Sequence, residues 1–459
     1  MRPLATWDFI ATVIRAKLLL PRQVSGPIGD IMLWRHLSLP AALFPLLTIH
    51  ATATTRIWTN TVGIANWSNA ANWVNGVPVD GDSVVLLRHP LGQFVNAIND
   101  LPNLTLQSIR CEALGYNLSG DSLRLIDEVL MGGPAAGATM NISAPVEILG
   151  STFHVVSTNG SELSLSGLVT APVGTVVTVD GGIRFKASPA SDYRAETRLR
   201  SGFLPLLFTR LSGPVTVGGD PTHFASVVLQ SGNVFGNFPP LTILTNGQVF
   251  NISTSNSVGP LTIDGGVLRL GNRSPLGDIV VNGNALLTGG ASLFVTAINN
   301  FGPGSLSVTG SVTIAGCSLT FQPGSSAITR PAVIVRNDAQ DPVIGTFTDL
   351  PEGSILPNGD ALYTLSYVGG DGNDITLSPI IPALRFISVT QAQGMTQFTV
   401  QGQPGFLYTI EATIDLLSPP ALTSWSPIHT TGTLPNGQFS FTDPDSTSFS
   451  KRFYRAVKP

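Results

Sequence analysis

Between Leu241 and Leu287 one short phrase occurs three times, and nothing else in the chain restricts its fold so sharply. The copies are Leu241-Thr-Ile-Leu-Thr-Asn246-Gly247, Leu261-Thr-Ile-Asp264-Gly265-Gly266-Val267 and Ile279-Val-Val-Asn282-Gly283-Asn-Ala-Leu286. In each, a β-branched run stops at an Asn-Gly or Asp-Gly pair and an apolar run resumes. The pairs begin at 246, 264 and 282, a spacing of 18 both times (264 − 246 and 282 − 264). Such pairs tolerate positive φ and so bend a strand without steric cost. A strand and a turn repeated at a fixed period of about 20 residues mark a stacked solenoid with windings of equal length.

The same pattern continues on both sides. In Phe153-His-Val-Val-Ser-Thr-Asn159-Gly160 and Val176-Val-Thr-Val-Asp180-Gly181-Gly182 the turn pairs are spaced by 21 (180 − 159), and Leu306-Ser-Val-Thr-Gly310 to Phe321 extends the series. Runs this short between turns are strands rather than helices. Alternation within them turns Leu, Ile, Val and Phe inward and Thr, Ser and Asn outward. Parallel stacking then lets each coil bury its apolar row on the next, and parallel crossovers are right-handed. The expected architecture is all-β: a right-handed parallel β-helix over residues 54–378, with a pair of antiparallel sandwiches as the alternative.

Composition agrees. Charged residues are 11% of the 459, against about 25% in an ordinary soluble domain, while Gly (48) and Pro (34) are abundant. A net charge of −4 with no basic stripe excludes nucleic acid as a partner and gives no attraction to an acidic membrane. The two cysteines, Cys111 and Cys317, are half the chain apart and belong to no CxxC or Cys/His cluster. They read as two small buried side chains, with neither a disulfide nor a zinc site.

The segment from Met32 has the anatomy of an export signal. A short positive region (Arg35, His36) precedes an apolar run of about a dozen residues, and Ala51-Thr52-Ala53 closes it. Pro40 and Pro45 break that run, which is too short to span a bilayer. The reading is a cleaved leader within residues 1–53 that starts at Met32, a mature chain from about Thr54 without a membrane span, and a location outside the cell or on its surface.

After the leader come Trp58, Ala65-Asn-Trp67, Ala71-Asn-Trp73, Gly76-Val-Pro78 and Asp82-Ser-Val-Val-Leu86. Trp58, Trp67 and Trp73 either form an exposed platform for sugar rings or plug the open end of the solenoid, whose first coil would otherwise expose its core. Asp80 and Asp82 are too few for a calcium site that takes six to eight oxygens and read as a turn. Far downstream, Tyr363-Thr-Leu-Ser-Tyr367-Val-Gly369-Gly370-Asp371-Gly372-Asn373-Asp374-Ile-Thr-Leu377 reads as a closing rung. Opening and closing phrases together resemble bacterial exported proteins with autotransporter-associated β-strand repeats. The resemblance implies an exported parallel β-helix that serves as a shaft for display or adhesion and seldom carries catalysis.

Gly369 to Leu377 also matches the calcium-binding nonapeptide G-G-x-G-x-D, with Asp371, Asn373 and Asp374 as candidate ligands. That site requires stacked consecutive copies, and the chain has one. The densest charge cluster, Arg184 to Arg200, is the best place to look for an enzyme acting on acidic polysaccharide. Its bland reading is a solvated loop or short helix bulging from a coil. His89, His154 and His223 are scattered, and the in-coil acids Asp180 and Asp264 both sit in Asp-Gly turns. Glycoside hydrolysis needs two carboxylates that converge, and no such pair is evident.

Pro379-Ile-Ile-Pro382 reads as a stiff linker, residues 379–383. Alternating strands from Leu384 to the end then predict a small antiparallel β-sandwich over 384–459, with Trp425 as a core ring. Gly405 to Ala412, Trp425-Ser-Pro427-Ile428 and Arg452-Phe-Tyr-Arg-Ala456 look like a C-terminal module common on exported bacterial proteins. The expected function is that of an exported non-enzymatic solenoid, structural, adhesive or display, that meets polysaccharide or other cell-surface components. Two alternatives stand beside it: a polysaccharide lyase or glycoside hydrolase on the same fold, and a carbohydrate-binding protein. No cofactor is expected.

Overall fold

A computed structural model describes residues 53–457 apart from short stretches between strands, the longest being 88–94, 133–137, 186–191, 272–277, 297–302, 323–327 and 417–422. The export signal read within 1–53 therefore lies almost wholly outside the described residues, as does His89. What is described is strand after strand, with single 3₁₀ turns at Ala70–Asn72 and Ser446–Ser448. No described helix is long and apolar enough to cross a membrane.

The solenoid has three faces. On the first, parallel strands stack from Thr55–Trp58 through Asp82–Leu86, Thr105–Cys111 and Leu123–Met131 to Val312–Ile314. On the second they run from Gly63–Asn66 and Val95–Asn99 to Ser292–Thr296 and Ser318–Gln322. The third face carries Asn256–Val258, Ile279–Val281, Leu306–Val308 and Ala332–Asn337; in the coils before them it thins to single bridges linking Ala171, Tyr193, Leu211 and Phe235, which continue a ladder of residues 123–125, Val146–Ile148 and Val169–Thr170. Alternation drives this stacking. In Val267–Leu270 and Ser292–Thr296 the residues Leu268, Leu270, Leu293 and Val295 point inward and are essentially fully buried, while their neighbours face out. Each buried Leu, Ile or Val contributes about 1.5–3 kcal/mol, and it can do so only because the next rung covers it. One continuous apolar column results.

The windings are not of equal length. Leu241 pairs with Leu261 and Leu261 with Ala285, so successive coils advance by 20 and by 24 (261 − 241 and 285 − 261), whereas Leu199 to Val217 takes 18. Two of the three phrases, at Leu241 and Leu261, stack on the first face, but the third, at Ile279, lies on the third face. The common spacing of 18 is thus not the coil period. Hydrogen bonding fixes how strands align between rungs and leaves the corner loops free to vary.

The closing phrase also departs from expectation. Ala332–Asn337 pairs in parallel with Leu306–Val308 on one side and antiparallel with Asp374–Ile380 on the other. Ala361–Gly369 and Ile355–Asn358 extend that antiparallel sheet. Tyr363 to Leu377 is therefore a hairpin rather than one more coil. Gly370 (φ 58°) and Gly372 (φ 120°) make its tight reversal possible. Pro379 and Ile380, read as linker, belong to this hairpin and pair with Tyr363 and Leu362. Proline is tolerated there because Ala332–Asn337 reaches only as far as Leu377, so no neighbour on that side needs its missing N–H.

The C-terminal module is a sandwich of two three-stranded antiparallel sheets. One comprises Arg385–Ala392, Met395–Gln401 and Gln438–Asp443; the other comprises Ser426–Gly432, Leu407–Thr413 and Phe453–Val457. Phe398, Val400, Tyr408, Ile410 and Phe439 fill the space between them. Trp425 is not among these: it is half-buried at the margin, with the Arg455 guanidinium 4.5 Å above its ring. The ring sites between the sheets are already occupied by Phe398 and Tyr408.

Candidate functional site

Three places hold the residues that the sequence singles out and a fourth emerges from the fold; the tryptophan end comes first. Trp58 and Trp67 are fully buried and Trp73 is 7% exposed. Trp73 meets both partners edge to face, with centroids 4.9 and 5.4 Å apart, and its indole N–H donates to the Trp67 carbonyl at 2.7 Å. Trp73 lies opposite Trp58 in an antiparallel pair that closes the first coil. No ring face is left for a sugar. The cluster is a plug, which corrects the platform reading for all three residues. Asp82 accepts from Arg56 at 2.6 Å and from the Val79 N–H, while Asp80 accepts from the Thr105 N–H. Both acids brace the cap.

At the other end, the calcium reading meets a hairpin. The nonapeptide site needs parallel turns stacked on one another, and here the turn at Gly369–Gly372 joins two antiparallel strands. The Asp374 carboxylate, 5% exposed, accepts from the Asn337 N–H at 2.9 Å, and Asn373 donates to the Asp341 carbonyl at 3.1 Å. Asp371 stands exposed in the turn. Asp374 and Asn373 tie the hairpin to the last parallel strand and the loop after it. Among the described residues no group of three or more His, Cys, Asp or Glu side chains converges as a metal site would need.

Of the charged stretch, residues 186–191 lie outside the described residues, 192–195 are irregular apart from isolated bridges at Tyr193, and both flanks are strand. Glu196–Leu206 is a strand within the solenoid, with Arg198 and Arg200 on its outer side. Arg184 pairs with Glu162, Arg194 with Asp192 at 2.6 Å and Arg198 with Glu196 at 2.5 Å; Arg200 lies 3.4 Å from Asp220. Hydrogen bonds from the Thr222 hydroxyl and N–H hold the Asp220 carboxyl well below the usual carboxylate range, with help from His223 at 3.3 Å. His154 is exposed on its strand. Asp180 and Asp264 share the first face but stand four rungs apart, roughly 19 Å at the spacing of a β ladder. Paired-carboxylate glycosidases need about 5–9.5 Å, so these two acids cannot act together.

The fourth place was not legible in the sequence: the outward row of the second face. It begins as an amide ladder, in which Asn117 donates to Asn96 at 3.2 Å and Asn141 to Asn117 at 2.8 Å. It continues through Ser164 and Arg184. Beyond them Pro205, Val228, Phe250, Arg269, Phe294 and Thr320 follow in register. Beside Arg184 lies an open notch of about 380 Å³ lined by Glu162, Gly182, Arg184, Phe203 and Pro205. Glycines make the notch. A Cβ on Gly202 (φ +87°) would come within 2.2 Å of the Gly181 carbonyl, so the rungs pass backbone on backbone there. The single acid in the notch, Glu162, is neutralised by Arg184. The row thus offers amides, hydroxyls, aromatic rings and guanidinium groups, which suit binding better than proton transfer.

No protein-family model, curated protein or solved structure matches this chain. The geometry of these four places is what a functional reading has to stand on.

Proposed function

We propose that this chain is an exported, non-enzymatic β-solenoid, a structural, adhesive or display shaft at a cell surface or in an extracellular matrix. One observation carries this reading: several acids of the shaft work as braces between rungs and corners. Asp82 holds Arg56, Asp100 holds the Ser68 N–H and hydroxyl, Asp278 holds the Ser305 N–H and hydroxyl, and Glu162 holds Arg184. Side chains committed to such bonds are poorly placed to act as general acids or bases. The two ends support the reading as well. A tryptophan plug and an antiparallel hairpin close the column, so the coils form a rod of fixed length that carries a separate sandwich. The export signal and the resemblance of the two ends to autotransporter-associated repeats point to the outside of a cell.

The experiment is an assay of the purified chain against pectins, alginates and glycosaminoglycans, together with N-terminal sequencing of the protein secreted from a bacterial host. We expect no product release and a mature chain that begins near Thr54. Release of oligosaccharide from any polymer overturns the non-enzymatic part, retention of the chain inside the host overturns the export part, and a secreted chain that starts before Met32 overturns the start at Met32.

A further inference from the structure

Three outward side chains of the second face form a stack unlike anything else described on the shaft. Phe250 lies opposite Arg269 in the ladder, and Arg269 lies opposite Phe294. The guanidinium carbon of Arg269 is 5.3 Å from the centre of the Phe250 ring and 3.9 Å from that of Phe294. Leu268 and Leu270 on either side are anchored in the core, so the backbone beneath the stack is fixed. Rungs repeat every 4.8 Å or so, which leaves the planar guanidinium held between two rings with both its faces covered.

The charge of this group is unanswered. Arg184, Arg194, Arg198 and Arg200 each have a carboxylate beside them. Arg269 has none among the described residues, and its Nε is buried without a hydrogen-bond partner. A guanidinium cannot discharge by losing its proton, so the stack keeps a cation that is partly stripped of water. The rings attract the cation but offer no hydrogen-bond acceptor. With both faces covered, an acceptor must approach the edge, where the N–H donors form a fork that fits a carboxylate or a sulfate. On the side where the strands begin, the described outward neighbours are neutral. Gln248 donates to Ser226 at 3.4 Å, Ser292 and Ser318 share a hydrogen bond of 2.7 Å, and Val267 lies between. Hydroxyls, an amide and one fixed cation on a flat repeating face match a polymer that is mostly hydroxyl and carries spaced anions. With a net charge of −4, the chain as a whole repels nucleic acid.

We propose that Arg269, clamped edge-out between Phe250 and Phe294, binds the carboxylate or sulfate group of an acidic polysaccharide lying along the second face. This inference rests on the shaft reading above and adds the class of polymer that the shaft holds.

The test is calorimetric titration of the full-length chain with polygalacturonate and alginate as carboxylate polymers, dextran sulfate as the sulfate polymer, and unmodified dextran as the neutral control. Arg269→Gln and Phe294→Leu are titrated alongside. We expect salt-sensitive binding to at least one acidic polymer and none to dextran, with the stronger of the two classes identifying the anion. Arg269→Gln should weaken binding about tenfold or more, because it removes a charge-assisted bidentate contact. Phe294→Leu keeps the charge and the apolar bulk but opens one wall of the clamp, and it should weaken binding by several-fold. Unchanged far-ultraviolet dichroism and melting would assign these losses to the site. Full binding by both variants, equal binding to dextran, or failure of every acidic polymer to bind overturns the proposal. None of those outcomes touches the non-enzymatic reading, which product release alone would end.

Discussion

Among single residues, the tryptophan plug shows how position decides between two uses of one side chain. Among the described residues Trp58 and Trp67 have no hydrogen-bond partner for their indole N–H groups, so burial of their rings must outweigh that loss. Trp73 is the joint between them and alone among the three donates its N–H, to Trp67. Trp73→Ala should destabilise the chain by about 3–5 kcal/mol through loss of contact and an unfilled cavity. Denaturant titration measures the change, and hydrogen exchange should place the early opening in Thr55–Trp58 and Gly63–Asn66. A variant that melts like the parent chain would leave the plug without a structural role. Cys317 illustrates the same principle elsewhere in the core: burial pushes its thiol up to about 12, so it behaves as an inert apolar group.

For whole strands, what matters is how a parallel stack stops. Every parallel rung offers an unpaired edge to the next, and an exposed edge invites another chain. The Asp374–Ile380 strand takes that edge in the antiparallel sense, and the hairpin it belongs to turns away so that a further coil cannot be added. Tyr367 fastens the cap from within, for its hydroxyl accepts from the Phe347 N–H at 2.8 Å and donates to the Leu350 carbonyl at 2.7 Å. A chain truncated after Arg330 should therefore expose the edge of Leu306–Val308 and self-associate. Size-exclusion chromatography with light scattering would report oligomers that grow with concentration. A truncated chain that stays monomeric would refute the capping role of the hairpin. The plug and the hairpin reach the same end differently: one covers the column with rings, the other pairs its edge.

Across the entire chain, the low charge makes a few held carboxylates conspicuous. Asp100 is lowered although burial works to raise it, because the Ser68 hydroxyl and N–H outweigh that burial; Asp220 is lowered by Thr222 and His223. A folded value below the ordinary 3.8 means that the stabilisation is fully present above that pH and is lost as pH falls through the folded values. The melting temperature should thus hold steady down to about pH 5 and fall from there toward about pH 2, with most of the loss at the acid end. A midpoint that rose on acidification would contradict these assignments. Alternation and turn pairs made the strands, the single column and the C-terminal sandwich legible, and Asn-Gly and Asp-Gly pairs marked real corners. The expected equality of windings failed because Leu199 is laddered to Val217 and Leu287 to Ile314, steps of 18 and 27 (217 − 199 and 314 − 287). The stack at Arg269 was hidden for the same reason: the steps from Phe250 to Arg269 and from Arg269 to Phe294 are 19 and 25, with no period to find (269 − 250 and 294 − 269). Residue order alone settled what is local, namely which side chains alternate, where the backbone can turn and which rings are large enough to plug an end. Which strands share a face, that the last phrase folds back, and which outward side chains meet emerged only once the chain was folded. Hydrogen bonds between rungs set that register, whereas the loops between them can take any length that lets the ladder close.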